Sequence, residues 1–136
     1  MNRQRAELSK KNAYYIPKEK YYELLYFSRQ YNTMKQELHD LRMDYPTTTR
    51  EVSVQTSDIS DPVTRACLRI EALTDKIRLI EATAVETDAE LAKWVRIGVT
   101  NDYSYEYMRQ ILGMPLGRTK YYELYRKYFY LLAQKR

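Results

Sequence analysis

The chain has 136 residues, of which 44% are hydrophobic, three are glycine and four are proline, and its net charge is +5. These values fit one ordinary domain or two very small ones with a packed core, built mainly from helices. No apolar run is long enough to span a bilayer, and one cysteine and one histidine leave no internal disulfide and no recognisable zinc spacing. We therefore expect a cytoplasmic protein that binds no membrane and no cofactor.

The first predicted element is a helix that begins at Pro17 and ends at Tyr45, before Pro46. Its apolar residues recur every seven positions and form an a/d seam of three heptads. The seam residues are Leu24, Phe27, Tyr31, Met34, Leu38, Leu41 and Tyr45.

Residues 46–60 are rich in Thr and Ser and lack a helical period, which predicts a linker or a short extended arm. Asp61 and Pro62 then form an N-cap and first-turn pair, and a second heptad seam follows. Its residues are Val63, Ala66, Ile70, Leu73, Ile77, Ile80 and Ala84. Two seams of equal length predict a long helical hairpin over residues 1–86, and a homodimer through the same seams would bury them equally well.

Residues 87–136 are predicted to form a separate module with a different pattern. Thr87 or Asp88 is expected to cap a short helix that stops near Gly98. A second short helix from about Ser104 to Ile111, a turn with the sequence LGMPLG, and a longer helix from Arg118 or Thr119 then predict a small helix-turn-helix bundle.

The last helix carries a core-facing stripe and a basic start. The stripe consists of Tyr121, Leu124, Tyr125, Tyr128, Leu131 and Leu132, while Tyr122 and Phe129 are expected at the margin of the polar face. Residues 93–136 contain nine Lys or Arg against three Asp or Glu, a net charge of +6, which suits a polyanion. A merely solvated basic surface is the competing interpretation of this charge.

A helix-turn-helix needs its recognition helix to reach base edges with its first turn while neighbouring cations hold phosphates. On this basis we expect Arg118 to contact guanine, Arg126 and Lys127 to contact phosphates, and Arg109 to contact the flanking backbone. The predicted DNA-binding residues are Arg109, Arg118, Thr119, Lys120, Tyr122, Arg126 and Lys127.

The segment TNDYSYEYMRQILGMPLGRTKYYELYRKYFYLLAQ resembles the C-terminal region of phage-encoded transcription regulators of the ArpU/RinA type. Those regions are similar to the region 4 helix-turn-helix of sigma factors. The match is most specific in LGRTKYYELYRKYF, and the stretches YYIPKEKYYELLYFSRQY and DPVTRACLRIEALTDKIRLIE look like the N-terminal helices of small prophage proteins. The resemblance implies a sequence-specific DNA-binding regulator in a bacterial host cell.

The sequence leaves a second function open. The last helix is unusually rich in tyrosine and the linker is long, which is also compatible with a phage-encoded inhibitor that binds a host protein or ribonucleoprotein, as an anti-CRISPR protein does. No phosphate loop, nucleophile motif or zinc signature is present, so we do not expect an enzyme.

Overall fold

A computed structural model describes residues 13–46 and 61–136, and within these ranges the protein is mainly α-helical and contains no strand. The prediction of a mainly α fold is therefore confirmed. None of the helices in these ranges is long and apolar enough to cross a membrane. The helices are α1 (Lys18–Arg29), α2 (Tyr31–Asp44), α3 (Pro62–Thr87), α4 (Ala92–Thr100), α5 (Tyr105–Gln110) and α6 (Arg118–Lys135).

The chain divides into two compact units. Of the described residues, those within 1–30 and 80–136 form one unit, and those within 31–79 form the other. This division differs from the predicted boundary between residues 86 and 87, because it falls seven residues earlier in α3. Residues 47–60, which include most of the predicted linker, lie outside the described residues.

The first predicted helix is divided in two. Gln30 lies between α1 and α2, and its backbone N–H bonds to the carbonyl of Phe27 at 3.2 Å, three residues back rather than four. The heptad seam is divided at the same place, because Leu24 and Phe27 are buried in one unit whereas Tyr31 and Met34 are buried in the other. The prediction of one continuous helix from Pro17 to Tyr45 is therefore wrong.

The unit of residues 31–79 contains α2 and most of α3. The Arg69 guanidinium donates to both carboxylate oxygens of Glu37, at 2.7 and 2.9 Å, and this contact lowers the pKa of Glu37 and raises the pKa of Arg69. The ion pair joins α2 to α3 within one chain. The unit's buried apolar residues are Tyr31, Met34, Leu38, Ala66, Cys67, Leu73 and Ile77. Assembly of a homodimer through the seams stays a prediction.

The other unit is built around the mutual contacts of α1, α4 and α6. Two buried hydrogen bonds join α1 to α6: the hydroxyls of Tyr21 and Tyr125 lie 3.2 Å apart, and the Ser28 hydroxyl lies 2.9 Å from that of Tyr128. The predicted stripe of α6 is buried except for Leu131, which is half-buried. Phe129, expected at the margin of the polar face, is instead fully buried against the ring of Tyr21.

Helix α4 continues past its predicted end. Gly98 lies inside this helix, which runs on to Thr100, rather than at its C-terminus. A Cβ atom at Gly98 would lie 3.1 Å from two ring carbons of Tyr121, and closer still to its hydroxyl. Gly98 therefore allows α4 to approach α6 closely, and this contact contributes to fixing the position of α6.

Candidate nucleic-acid interface

The candidate interface is formed by α5, the connection after it and the start of α6. The Ser104 side chain accepts a hydrogen bond from the Tyr107 backbone N–H at 3.0 Å, so Ser104 is the N-cap of α5. Gly113 has φ +78°, a left-handed conformation that glycine adopts at little cost after a helix. Helix α6 begins at Arg118, as predicted, with Gly117 as its N-cap.

The connection between α5 and α6 spans residues 111–117. It is longer than the turn of about three to four residues that joins the helices of a DNA-binding helix-turn-helix. The helix boundaries thus agree with the prediction, while the tight turn of that motif does not occur at this position.

Side chains of α5 hold this connection in place. The Leu116 carbonyl accepts two hydrogen bonds, one from the Tyr105 hydroxyl at 2.8 Å and one from Nη1 of Arg109 at 3.0 Å. Met114 and Leu116 are buried and anchor the connection from within. Arg109, predicted to contact the DNA backbone, therefore also stabilises the segment that precedes α6.

Arg118 is held by two residues of α5. Its guanidinium forms an ion pair with the Glu106 carboxylate, and its central carbon lies 4.6 Å from the centroid of the Tyr105 ring, which is a cation–π contact. Hydrogen bonding to Glu106 raises the pKa of Arg118 above its ordinary value. Both charged side chains remain more than half exposed, at 57% and 55%, so a ligand can reach them.

The predicted residues of α6 do not share one face. Arg118, Tyr122 and Arg126 recur every four residues and form one row, whereas Lys120 and Lys127, about two turns apart, form another row on a different side of the helix. Thr119 is exposed between the two rows. A nucleic acid that contacts both rows would have to meet the two flanks of α6, as the walls of a groove do.

Tyr122 is less accessible than a surface contact residue. It is half-buried, and its ring centroid lies 5.0 Å from that of Tyr121, 6.1 Å from that of Tyr125 and 6.4 Å from that of Tyr105. Arg126 is also half-buried, and its Nε atom is buried without a hydrogen-bond partner. The predicted basic residues that are exposed are Arg109, Arg118 and Lys120, whereas Lys127, like Arg126, is half-buried.

Sequence reasoning missed Tyr105 and Glu106 as members of this site. The two residues that pair, Glu106 and Arg118, are twelve positions apart and lie on either side of the connection. The periodicity of a single helix reveals only partners three or four residues apart. The one signal in the sequence was an acidic residue in the first turn of α5, which is common in helices for electrostatic reasons alone.

Neither a protein-family model, a curated protein nor a solved structure matches this chain. Within residues 13–46 and 61–136, no group of three or more His, Cys, Asp or Glu side chains is arranged to hold a metal ion. The geometry of α5 and α6 is therefore the basis for a functional proposal.

Proposed function

We propose that the protein binds double-stranded DNA through the start of α6 and acts as a sequence-specific phage transcription regulator in a bacterial host cell. The observation that carries this proposal is the exposed, basic first turn of α6, formed by Arg118, Thr119 and Lys120. The resemblance of the C-terminal segment to regulators of the ArpU/RinA type points in the same direction.

The electrostatics of α6 support an anionic partner at this position. The N-terminal end of a helix carries partial positive charge and N–H groups without intrahelical partners. Most helices place an acidic or hydroxyl side chain there, but Gly117 supplies no side-chain cap and the first turn of α6 contains no acidic residue. Lys120 adds positive charge where the helix already has it, while the charge of Arg118 is already paired with the Glu106 carboxylate. A DNA phosphate would compensate this arrangement.

The charge of the surrounding segment extends the same argument. Residues 93–136 carry nine basic against three acidic side chains, a net charge of +6. Each Lys or Arg that neutralises a phosphate releases a condensed counterion, so binding through this segment weakens steeply as salt rises. Salt dependence is therefore the first property to measure.

The test is fluorescence anisotropy of a labelled duplex of random sequence over a series of salt concentrations. We expect binding that weakens with salt, and the double variant Lys120→Ala, Lys127→Ala should flatten the slope of log K against log salt by about two units, one per phosphate contact. The matched control is Lys18→Ala, Lys35→Ala, which removes the same charge from exposed positions of α1 and α2. Absence of binding at low salt, or an equal effect of both double variants, would contradict the proposal.

A second candidate function is binding to a host protein or ribonucleoprotein. The observation that favours it is the exposure of apolar side chains on and beside α5, where Tyr107 is 39% and Ile111 is 66% exposed. The rings of Tyr103 and Tyr107 lie 4.7 Å apart and extend this surface. Tyr107 and Ile111 are more accessible as anchors for a protein partner than the half-buried Tyr122.

The two candidates are separated by the double variant Tyr107→Ser, Ile111→Ser. If the protein acts by binding a host protein, this variant loses a complex that forms in nuclease-treated host lysate, while its affinity for DNA is unchanged. If the protein acts by binding DNA, no such complex survives nuclease treatment of the wild-type sample.

A further inference from the structure

We infer that Glu106 is a specificity-determining positioning residue, which holds the Arg118 guanidinium for a base edge and reduces its pairing with DNA phosphates. This inference rests on the proposed function and concerns the same site. Glu106, an acidic residue in an otherwise basic interface, would thereby help the protein to distinguish its preferred DNA sequence from others.

The restraint on Arg118 has two parts, both supplied by α5. The Glu106 carboxylate pairs with one terminal nitrogen, Nη2, and the guanidinium carbon lies 4.6 Å from the centroid of the Tyr105 ring. Tyr105 is itself only 9% exposed, and its hydroxyl is fixed by the Leu116 carbonyl at 2.8 Å. The Tyr105 ring, against which Arg118 lies, is therefore held in place by its burial and its hydrogen bond.

The restrained guanidinium keeps enough donors to recognise a base. Arginine has five N–H donors in a planar fork, and Glu106 accepts a hydrogen bond from the Nη2 nitrogen. Recognition of guanine uses two N–H groups directed at O6 and N7 in the major groove. A guanidinium whose plane is already set loses less conformational freedom on making that pair of bonds.

The carboxylate also changes how Arg118 interacts with DNA of any sequence. An unrestrained arginine side chain can swing to a phosphate, and phosphate contacts carry no sequence information. In this protein the Glu106 charge competes with phosphate for Arg118 and repels a phosphate brought close to it. Glu106 therefore lowers the affinity for non-cognate DNA more than it lowers the affinity for a site with a correctly placed guanine. The protein discriminates between the two kinds of DNA through this repulsion.

The test begins with selection of a preferred duplex from a random pool by the wild-type protein. Affinities for that duplex and for a scrambled duplex of the same composition are then measured by anisotropy at several salt concentrations. The variants are Glu106→Gln, Arg118→Ala and their combination. Glu123→Gln is the matched control, because Glu123 is exposed on α6 and its substitution removes the same charge.

For Glu106→Gln we expect the ratio of the two affinities to fall roughly fivefold or more, the lower end of the discrimination from one bidentate contact. Binding to the scrambled duplex should tighten, with a salt slope steeper by about one unit as Arg118 acquires a phosphate. Glu123→Gln should leave the ratio unchanged. In the Arg118→Ala background, Glu106→Gln should no longer change the ratio, because Glu106 acts through Arg118.

Four results would overturn the inference. If Glu106→Gln and Glu123→Gln alter the ratio equally, Glu106 contributes only its charge. If Glu106→Gln changes the ratio as much without Arg118 as with it, Glu106 acts by another route. If the wild-type protein binds DNA but selects no preferred sequence, no base is read; and if it binds no DNA at low salt, the proposed function fails together with the inference.

Discussion

The close approach of α4 and α6 at Gly98 makes this glycine a sensitive point of the fold. Substitution by alanine would place a Cβ atom 3.1 Å from Cε1 and Cζ of Tyr121 and in severe conflict with its hydroxyl. Tyr121 is only 2% exposed, and its hydroxyl donates to the Met108 sulfur at 3.5 Å. The ring cannot turn aside into solvent, so the helices must separate or the surrounding rings must shift.

Two opposing effects determine how much Gly98→Ala changes the free energy of unfolding. Overpacking a dense core costs about 1 to 3 kcal/mol, and the rigid, buried Tyr121 ring places Gly98→Ala near the upper end of that range. Alanine inside a helix is favoured over glycine by about 1 kcal/mol. The free energy of unfolding should therefore decrease by about 2 kcal/mol relative to the wild-type protein.

The assay is urea unfolding followed by circular dichroism. Adding Tyr121→Phe to Gly98→Ala removes the hydroxyl that meets the new Cβ atom, so the double variant should recover about 1 kcal/mol, less than the full loss because the ring carbons stay close. Gly117→Ala is a control for steric overlap alone, since a Cβ atom there meets no atom within 4 Å and the expected cost of about 1 kcal/mol comes from replacing glycine at the N-cap of α6. A Gly98→Ala protein as stable as the wild type would refute the packing of α4 on α6.

Three further predictions concern the two units. Ser28→Ala should lower the free energy of unfolding in urea by about 1 to 3 kcal/mol, because it leaves the buried Tyr128 hydroxyl without its hydrogen-bond partner. Adding Tyr128→Phe should recover most of this loss. Equal stability of the single and the double variant would contradict the hydrogen bond. Burial raises the pKa of Tyr121, Tyr125 and Tyr128, so these groups stay protonated in the folded protein while they ionise in the unfolded chain above about pH 10. Stability should therefore fall above that pH by about 1.4 kcal/mol per pH unit for each group, and unfolding should add tyrosinate absorbance that corresponds to these three groups; ionisation of all fifteen tyrosines in the folded protein would contradict this. Ile77→Asp places a charge in the core of residues 31–79 and should lower the melting temperature sharply, whereas Arg78→Asp at an exposed neighbour should not.

The local elements of this fold follow closely from the sequence. Asp61, the predicted N-cap, accepts a hydrogen bond from the Val63 backbone N–H at 2.8 Å and starts α3, and Ser104, expected at the start of α5, is its N-cap. The start of α6 after Gly117 was predicted on similar grounds. These features depend on a few neighbouring residues, which is why composition and spacing reveal them. By contrast, Thr87 or Asp88 was expected to cap α4, but α4 begins at Ala92 without a side-chain cap.

Features that depend on distant residues were harder to predict. The heptad period runs unbroken through Gln30, yet the Ser28 hydroxyl on its N-terminal side is buried against Tyr128 of α6, 100 residues away in sequence, so the seam divides. Phe129 looks marginal on a helical projection because the projection does not include Tyr21 from α1. The pair of Glu106 and Arg118 was missed for the same reason, since it spans the connection between two helices.

The central claim, that the start of α6 is the DNA-binding surface, is tested most directly by NMR. Backbone amide shifts of the isotope-labelled protein would be followed while a short duplex is added at low salt. We predict that the largest shifts fall within residues 105–127, around Arg118, Thr119 and Lys120, and that they diminish as salt is raised. Shifts concentrated in residues 31–79, or no shifts at low salt, would contradict the account.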